Sequence, residues 1–319
     1  MINQYLTYNK IFLSFITSPL EKVFLGRRVL PSGLKLSNTP NISRAADNKL
    51  GYSVNFMQEK KGKSIEKKLI YKHKNLKYHQ MLNEASMLEV FSKFKASKKE
   101  PYIVSFPKLK SFTVSKNLVT LRREYIEGSS IENLDTNSTI AILDSILKQL
   151  NLGRATYFSK IKNFPIRGSF YLNFTFSFYV IRVCFKNFED SILYMKALGE
   201  FYKLVSKNLF RKNKYVLAHR DLHTDNILYR KKEVIVIDTE IASLAEDKTD
   251  LAIACRYFYK KIGRSGIERL LNKHAKSKID RDQFLRISFY YTVQCLATES
   301  IHDKFFIEAK QYLKEYLLN

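Results

Sequence analysis

His219-Arg220-Asp221-Leu222-His223-Thr224-Asp225-Asn226-Ile227-Leu228, followed by Val236-Ile237-Asp238, is the stretch on which the reading of this chain turns. It supplies a carboxylate, a carboxamide and a second carboxylate at spacings that suit phosphoryl transfer from a metal-bound nucleoside triphosphate. Asp221 is placed to accept a proton from an attacking hydroxyl. Asn226 and Asp238 are placed to hold the Mg²⁺ that bridges the oxygens of ATP. The run Glu233 to Ile237 is apolar and β-branched, so it reads as a buried strand that delivers Asp238 at its end. Lys231-Lys232 would be the turn of a hairpin leading into it. Taken singly, an Asp or Asn in a loop is more often a turn former that bonds its own backbone. The joint pattern, with a strand between its halves, argues for chemistry.

These residues resemble the catalytic and metal-binding loops of the protein-kinase-like superfamily, and more narrowly its aminoglycoside phosphotransferase and choline kinase branch. His223 stands two residues after Asp221, where protein kinases more often carry Lys, and Asp238-Thr239-Glu240 departs from their D-F-G triplet. Asp250-Leu251-Ala252 is similar to the D-L-A segment that opens a helix in that branch. Arg220 departs from it: small-molecule kinases usually have Gly there, whereas protein kinases and lipopolysaccharide core-sugar kinases usually have Arg. The resemblance implies an α+β, bilobal fold with a small antiparallel β-sheet lobe carrying one main helix, and a larger, mostly helical lobe. It implies supporting roles for His219, Arg220, His223 and Asp250. His219 would bond backbone near the metal-binding loop. His223 would pack in the loop or sit near the metals, and Asp250 would cap a helix or brace the catalytic loop.

Working outward toward the N-terminus, Tyr52, Val54 and Phe56 alternate with polar residues, Lys60 to Lys63 forms a turn, and Ile65 to Tyr71 returns as a hairpin. Lys72 follows that strand, where the superfamily keeps the lysine that pairs the α- and β-phosphates. Tyr78 to Phe94 has helical spacing, and its Glu84 is the expected ion-pair partner of Lys72. Lys68, Lys74 and Glu89 are rivals for the two roles. Two more strands are expected around Val104–Phe112 and Leu118–Tyr125. The second ends in Glu124-Tyr125-Ile126-Glu127-Gly128, which resembles a kinase hinge whose backbone near Glu124 and Ile126 would bond adenine. A strand leaving a sheet at a glycine turn is the alternative. No G-x-G-x-x-G occurs, and residues 37–48 are the candidate phosphate loop.

Toward the C-terminus, helices are expected at Ile140–Leu150, Ile192–Phe210, Leu251–Ile262, Phe284–Leu296 and Phe305–Leu318. The aromatic run Phe170–Ile181 alternates like a strand, but a helix buried in the lobe is preferred. A surface for a lipid or glycolipid acceptor, edged by Arg167 and Arg182, is a third reading. The expected divisions are an extension at 1–28, a nucleotide-binding lobe at 29–127 and a helical lobe at 128–319.

The chain has 319 residues, 45% of them hydrophobic and 13% aromatic, enough for a sizeable core. Its three cysteines, Cys184, Cys255 and Cys295, form no C-x-x-C pair, which argues against a zinc site and for reduced thiols in a cytoplasmic protein. The apolar run Ile11–Ile16 is too short to span a bilayer and reads as a surface anchor or a packed helix. A peripheral position on the inner face of the membrane is therefore the alternative location. The formal net charge of +25 attracts polyanions and weighs against strongly cationic acceptors. An ATP-dependent kinase for an anionic or lipid-linked sugar is the leading expectation. A kinase for a soluble amino sugar or amino alcohol comes next, then a non-catalytic kinase-like protein that binds nucleic acid or another polyanion.

Overall fold

The computed structural model describes residues 52–59, 62–70, 76–91, 100–157, 166–167, 169–207 and 214–319. The apolar run at 11–16, the candidate phosphate loop at 37–48, and Lys72 and Lys74 lie outside the described residues. Two compact units are present. One comprises residues up to Ser86 together with Lys108–Tyr125; the other comprises Met87–Pro107 and Ile126–Asn319.

The first unit is built on the expected hairpin, β1 (Tyr52–Glu59) and β2 (Gly62–Ile70), followed by α1 (Leu76–Phe91), whose last turns belong to the second unit. The segment expected to hold one strand at 104–112 holds two: β3 (Ile103–Ser105) and β4 (Leu109–Val114). With β5 (Leu118–Glu124), β4 completes an antiparallel sheet of order β1-β2-β5-β4. β3 leaves for the second unit because it pairs in parallel with a later strand, a long-range choice that local alternation does not encode. In β2, Ile65, Lys67 and Leu69 fall on one face by the two-residue period and all three are buried. Lys67 is thus carried inward with its apolar neighbours.

After β3 the second unit continues with β6 (Ser129–Ser130), then α2 (Thr136–Tyr157), β7 (Ile166–Arg167), α3 (Ser169–Lys186) and α4 (Ser191–Lys207). The strands β8 (Tyr215–Ala218), β9 (Ile227–Arg230), β10 (Glu233–Val236) and β11 (Ser243–Glu246) follow. Helices α5 (Thr249–His274), α6 (Lys278–Thr298) and α7 (Lys304–Tyr312) close the chain, with one π-helical turn at Leu313–Leu317. β9 and β10 are the expected hairpin, and Lys231 takes φ 57° in its turn. A sheet of order β3-β10-β9-β6 and a smaller one of order β7-β11-β8 are embedded among the helices.

The aromatic run at 170–181 is helical, as preferred, but it is not buried all round. Phe176 stacks on Phe201 of α4 at 3.8 Å, while Phe178 and Ile181 are exposed. Regular helix in α5 breaks at Gly263, whose φ of 63° suits a residue without a Cβ, directly after the expected end at Ile262. At the start of α6, Ser277 accepts from Asp280 N at 3.0 Å and donates to its carboxylate at 2.8 Å, a reciprocal cap. The core joins α2, α3, α4, α5 and α6 through side chains such as Ile146, Phe176, Phe201, Phe258 and Phe284. The small sheets pack against it through Val234 and Val236 of β10 and through Leu217 and Leu244 of β8 and β11, so the loops they carry rest on the core.

Candidate active site

The loop from His219 to Asn226 joins β8 to β9, and Asp238 follows β10, the partner of β9. Hairpin pairing therefore brings the two halves of the motif together. It continues one step past β10, where Ile237 N donates to Asn226 O at 2.9 Å. The side chain of Asn226 donates through Nδ2 to both the backbone oxygen and the carboxylate of Asp221, each at 3.0 Å. Asn226 is buried, while the Asp221 side chain keeps 27% of its surface exposed. Asp221 is thus fixed yet accessible to a reactant.

Two residues of the motif adopt left-handed backbone: Arg220 at φ 68° in the loop and Asp238 at φ 60° after β10. For Arg220 that conformation costs about 1–2 kcal/mol and needs support from its surroundings. Asp250 supplies it. This buried carboxylate accepts from Arg220 N at 2.7 Å and from His219 N at 3.0 Å. The Arg220 guanidinium faces inward, donating to Ile241 O at 2.9 Å, to Ser243 Oγ at 3.2 Å and to the Tyr291 hydroxyl at 3.3 Å. It ties the 219–226 loop to the segment after Asp238. Its donors are thus directed at protein groups.

His219 is fully buried. It accepts from Asp221 N at Nδ1 (3.3 Å), so Nε2 carries the proton and donates to Ile237 O at 3.0 Å. Burial pushes its pKa down, although Asp250, Asp221 and Asp238 pull the other way. A neutral ring linking both halves of the motif fits these contacts. His223 accepts from Asp225 N at 3.3 Å through Nδ1 and points Nε2 toward the Asp221 carboxylate at 3.6 Å. Its ring lies against Tyr257 and Phe305 at centroid distances of 5.2 and 5.8 Å.

Those two aromatics also line a cavity of about 260 Å³, together with Thr224, Glu132, Lys260, Lys304 and Glu308. The Lys304 ammonium pairs with Glu132 at 3.0 Å, and Lys261, also in the wall, donates to the backbone oxygens of Ile131 and Glu132. Burial raises the pKa of Glu308, while Lys304 and Lys260 oppose that rise.

As metal ligands, the Asp238 carboxylate and the Asn226 amide oxygen are hard donors. The amide nitrogen of Asn226 is engaged by Asp221, which leaves its oxygen for a cation. The described residues contain no group of three or more His, Cys, Asp and Glu that could form a metal cage. Two oxygen ligands without a cage fit Mg²⁺, which binds through one or two protein groups plus substrate phosphates.

In the first unit, Glu84 is fully buried on α1 and bonds Lys67 Nζ at 2.7 Å, with Arg123 Nε at 3.5 Å from its other oxygen. Among the described residues Lys67 is the lysine seen on Glu84; Lys72 and Lys74 lie outside them. The rival Lys68 pairs with Glu66 at 2.8 Å. Sequence reasoning missed Lys67, and the available signal was its place on the Ile65-Lys67-Leu69 face of β2. At the expected hinge, Glu124 N already donates to Lys108 O at 2.9 Å, so that N–H is engaged within the sheet. Ile126 has no backbone hydrogen bond to another described residue. The backbone at Gly128 passes so close to β9 that a Cβ there would meet Leu228 Cβ at 3.0 Å and Tyr229 O at 3.3 Å, tighter than ordinary van der Waals contact.

No protein-family model matches this sequence, and no curated protein matches it. Solved structures do resemble it. The spectinomycin phosphotransferase APH(9)-Ia, in complex with ADP and spectinomycin, superposes with a TM-score of 0.56 at 16% identity, covering 86% of this chain and 88% of that one. APH(2")-IIia with GDP and kanamycin gives 0.55 at 15% identity over 82% and 92%. The aminoglycoside phosphotransferase APH(4)-Ia gives 0.53 at 12% identity over 94% and 95%. With an antiparallel amino-terminal sheet followed by a mostly helical remainder, this chain has the protein-kinase-like fold of the aminoglycoside phosphotransferases.

Proposed function

We propose that the protein is an ATP-dependent phosphotransferase that moves the γ-phosphate onto a hydroxyl of a small, sugar-sized acceptor. The observation that carries this reading is the fixed group of Asp221, Asn226 and the segment bearing Asp238, joined at 3.0 and 2.9 Å and braced by Asp250. Asp221 orients the acceptor hydroxyl and takes its proton. Asn226 and His223 hold the carboxylate in position, and Asp250 maintains the strained turn that presents it. Bound to Asn226 and Asp238, Mg²⁺ would neutralise charge on the triphosphate. In the first unit, we assign the phosphate-binding ammonium to Lys67, because Glu84 holds it by a short bond in a buried setting. Adenine recognition falls to the backbone around Ile126.

The cavity beside His223 is the proposed acceptor pocket. Aromatic side chains in its wall suit the apolar face of a sugar ring. Lys260 and the net charge of +25 support the anionic or lipid-linked sugar expected from the sequence, in the manner of lipopolysaccharide core-sugar kinases. Glu308 supports the second reading, an amino sugar or amino alcohol, and the solved neighbours with spectinomycin and kanamycin bound favour acceptors of that size.

The test is ADP release with Mg²⁺ and a panel of phosphorylated, neutral and amino sugars. Asp221→Asn should lower turnover by roughly 10²–10⁴ while leaving nucleotide affinity nearly unchanged. Full turnover in that variant would remove Asp221 from the chemistry. Retention on heparin with no acceptor-dependent ADP release would instead favour a polyanion-binding protein.

A further inference from the structure

The α3–α4 hairpin carries large apolar side chains on its outer side. On α3, Phe178, Ile181 and Phe185 recur at helical spacing, and on α4 Ile192 and Met195 do the same; all are exposed. At the turn between the helices the exposure is extreme: Phe185 85%, Phe188 82% and Ile192 85%. Monomeric proteins rarely gather such groups without a binding purpose. The hairpin is rigid beneath them. Phe176 stacks on Phe201, and the Tyr202 hydroxyl bonds Ser177 Oγ at 2.8 Å and Asn173 O at 3.0 Å. The apolar tip is therefore presented by a built scaffold.

Charge decides what the tip meets. Exposed Lys196, Lys203 and Lys207 run along α4 beside Ile192 and Met195. Of the nearby acids, Asp190 is paired with Lys310 and held by Asn187, Glu200 faces Lys203 at 3.4 Å, and Glu189 is exposed beside Phe188, a single carboxylate against the three lysines of α4. Lys196 and Lys207 have no carboxylate within ion-pair distance among the described residues. Two copies of a chain with a net charge of +25 repel each other, whereas an anionic surface attracts both the lysines and the body behind them. Apolar side chains flanked by snorkelling lysines match the boundary between lipid headgroups and acyl chains. No helix among the described residues is long and apolar enough to cross a membrane.

We propose that the α3–α4 hairpin docks on the surface of an anionic lipid bilayer, with Phe185, Phe188 and Ile192 entering the acyl boundary and the α4 lysines meeting the headgroups. The proposal does not depend on the catalytic reading. Its test is sedimentation of the full chain with phosphatidylglycerol-containing vesicles and, separately, with pure phosphatidylcholine vesicles. Binding should require the anionic lipid and weaken as salt rises. The variant Phe185→Ser/Phe188→Ser/Ile192→Ser alters only exposed side chains and should keep the melting temperature. It should bind anionic vesicles at least about tenfold more weakly. Lys196→Glu/Lys207→Glu should also weaken binding by about tenfold or more. Equal vesicle binding by the apolar variant would overturn the proposal by assigning contact to another part of the chain. Absence of vesicle binding, with self-association that the same variant abolishes, would overturn it in favour of a second copy.

Discussion

Replacing Asp250 by Asn tests the idea that one buried carboxylate holds the proposed catalytic loop in a strained shape. Asp250 accepts two backbone N–H groups, from Arg220 at 2.7 Å and His219 at 3.0 Å. Hydrogen bonds to a charged acceptor contribute about 1.5–3 kcal/mol each. Asparagine keeps one oxygen but turns its NH₂ toward the other N–H, so one bond is lost and one buried donor faces another. Arg220 would then be left with a weaker hold on a left-handed conformation that itself costs about 1–2 kcal/mol. We expect a loss of about 3 kcal/mol in urea denaturation, with an unchanged m-value. As the loop relaxes, Asp221 moves, and displacements near 1 Å cost about 10²-fold in rate. Turnover should therefore fall about 10²-fold, whereas Asp221→Asn should lower turnover with stability kept within about 1 kcal/mol. An Asp250→Asn protein with the parent's urea midpoint and turnover would refute the bracing argument.

Three other perturbations probe separate regions. Glu84→Gln leaves Lys67 and Arg123 buried without their anion and should cost about 3–5 kcal/mol, part of which the double variant Lys67→Met/Glu84→Met should restore; a neutral Glu84→Gln would contradict the buried pair. Desolvation alone would raise the Asp144 carboxyl, but hydrogen bonds from His274 (2.8 Å) and Lys273 (2.6 Å) outweigh it and hold its pKa well below the ordinary value. A group depressed on folding stabilises above its unfolded pKa, near 3.8, and that contribution is lost as pH falls below it. Asp144→Asn should accordingly flatten the acid limb of a plot of stability against pH, and an unchanged limb would exclude this group. Glu308→Gln should raise KM for amino-bearing acceptors several-fold with kcat unchanged, while a change confined to kcat would place Glu308 outside ground-state binding.

The helices were largely legible because their apolar residues recur with the period of the helix and their ends carry local signals. Gly263 after Ile262 is such a signal; Ser277 with Asp280 is another, which the expected start at Phe284 passes over, since the helix begins at Lys278. The hairpin from Ile227 to Val236 was equally legible, since its turn and alternation are local. Strand partners were not. β3 joins β10 across more than a hundred residues, and nothing within 102–114 distinguishes it from its neighbour β4, which stays in the first sheet. Lys67 was missed for a related reason: position after a strand pointed to Lys72, which lies outside the described residues, and burial on the inner face of β2 is what carries Lys67 to Glu84.

By itself, the sequence determined which chemical groups are available, since a carboxylate, a carboxamide and a second carboxylate at positions 221, 226 and 238 are covalent facts. Hairpin spacing further determined that they share one loop system. Only the tertiary structure decided which way the side chains point. Arg220 turns inward to Ile241, Ser243 and Tyr291, Asp250 reaches the backbone before Asp221, and Phe185 with Phe188 faces solvent. Orientation depends on which distant elements pack nearby, because a side chain's burial is set by neighbours far along the chain, and single-sequence periodicity carries no record of them.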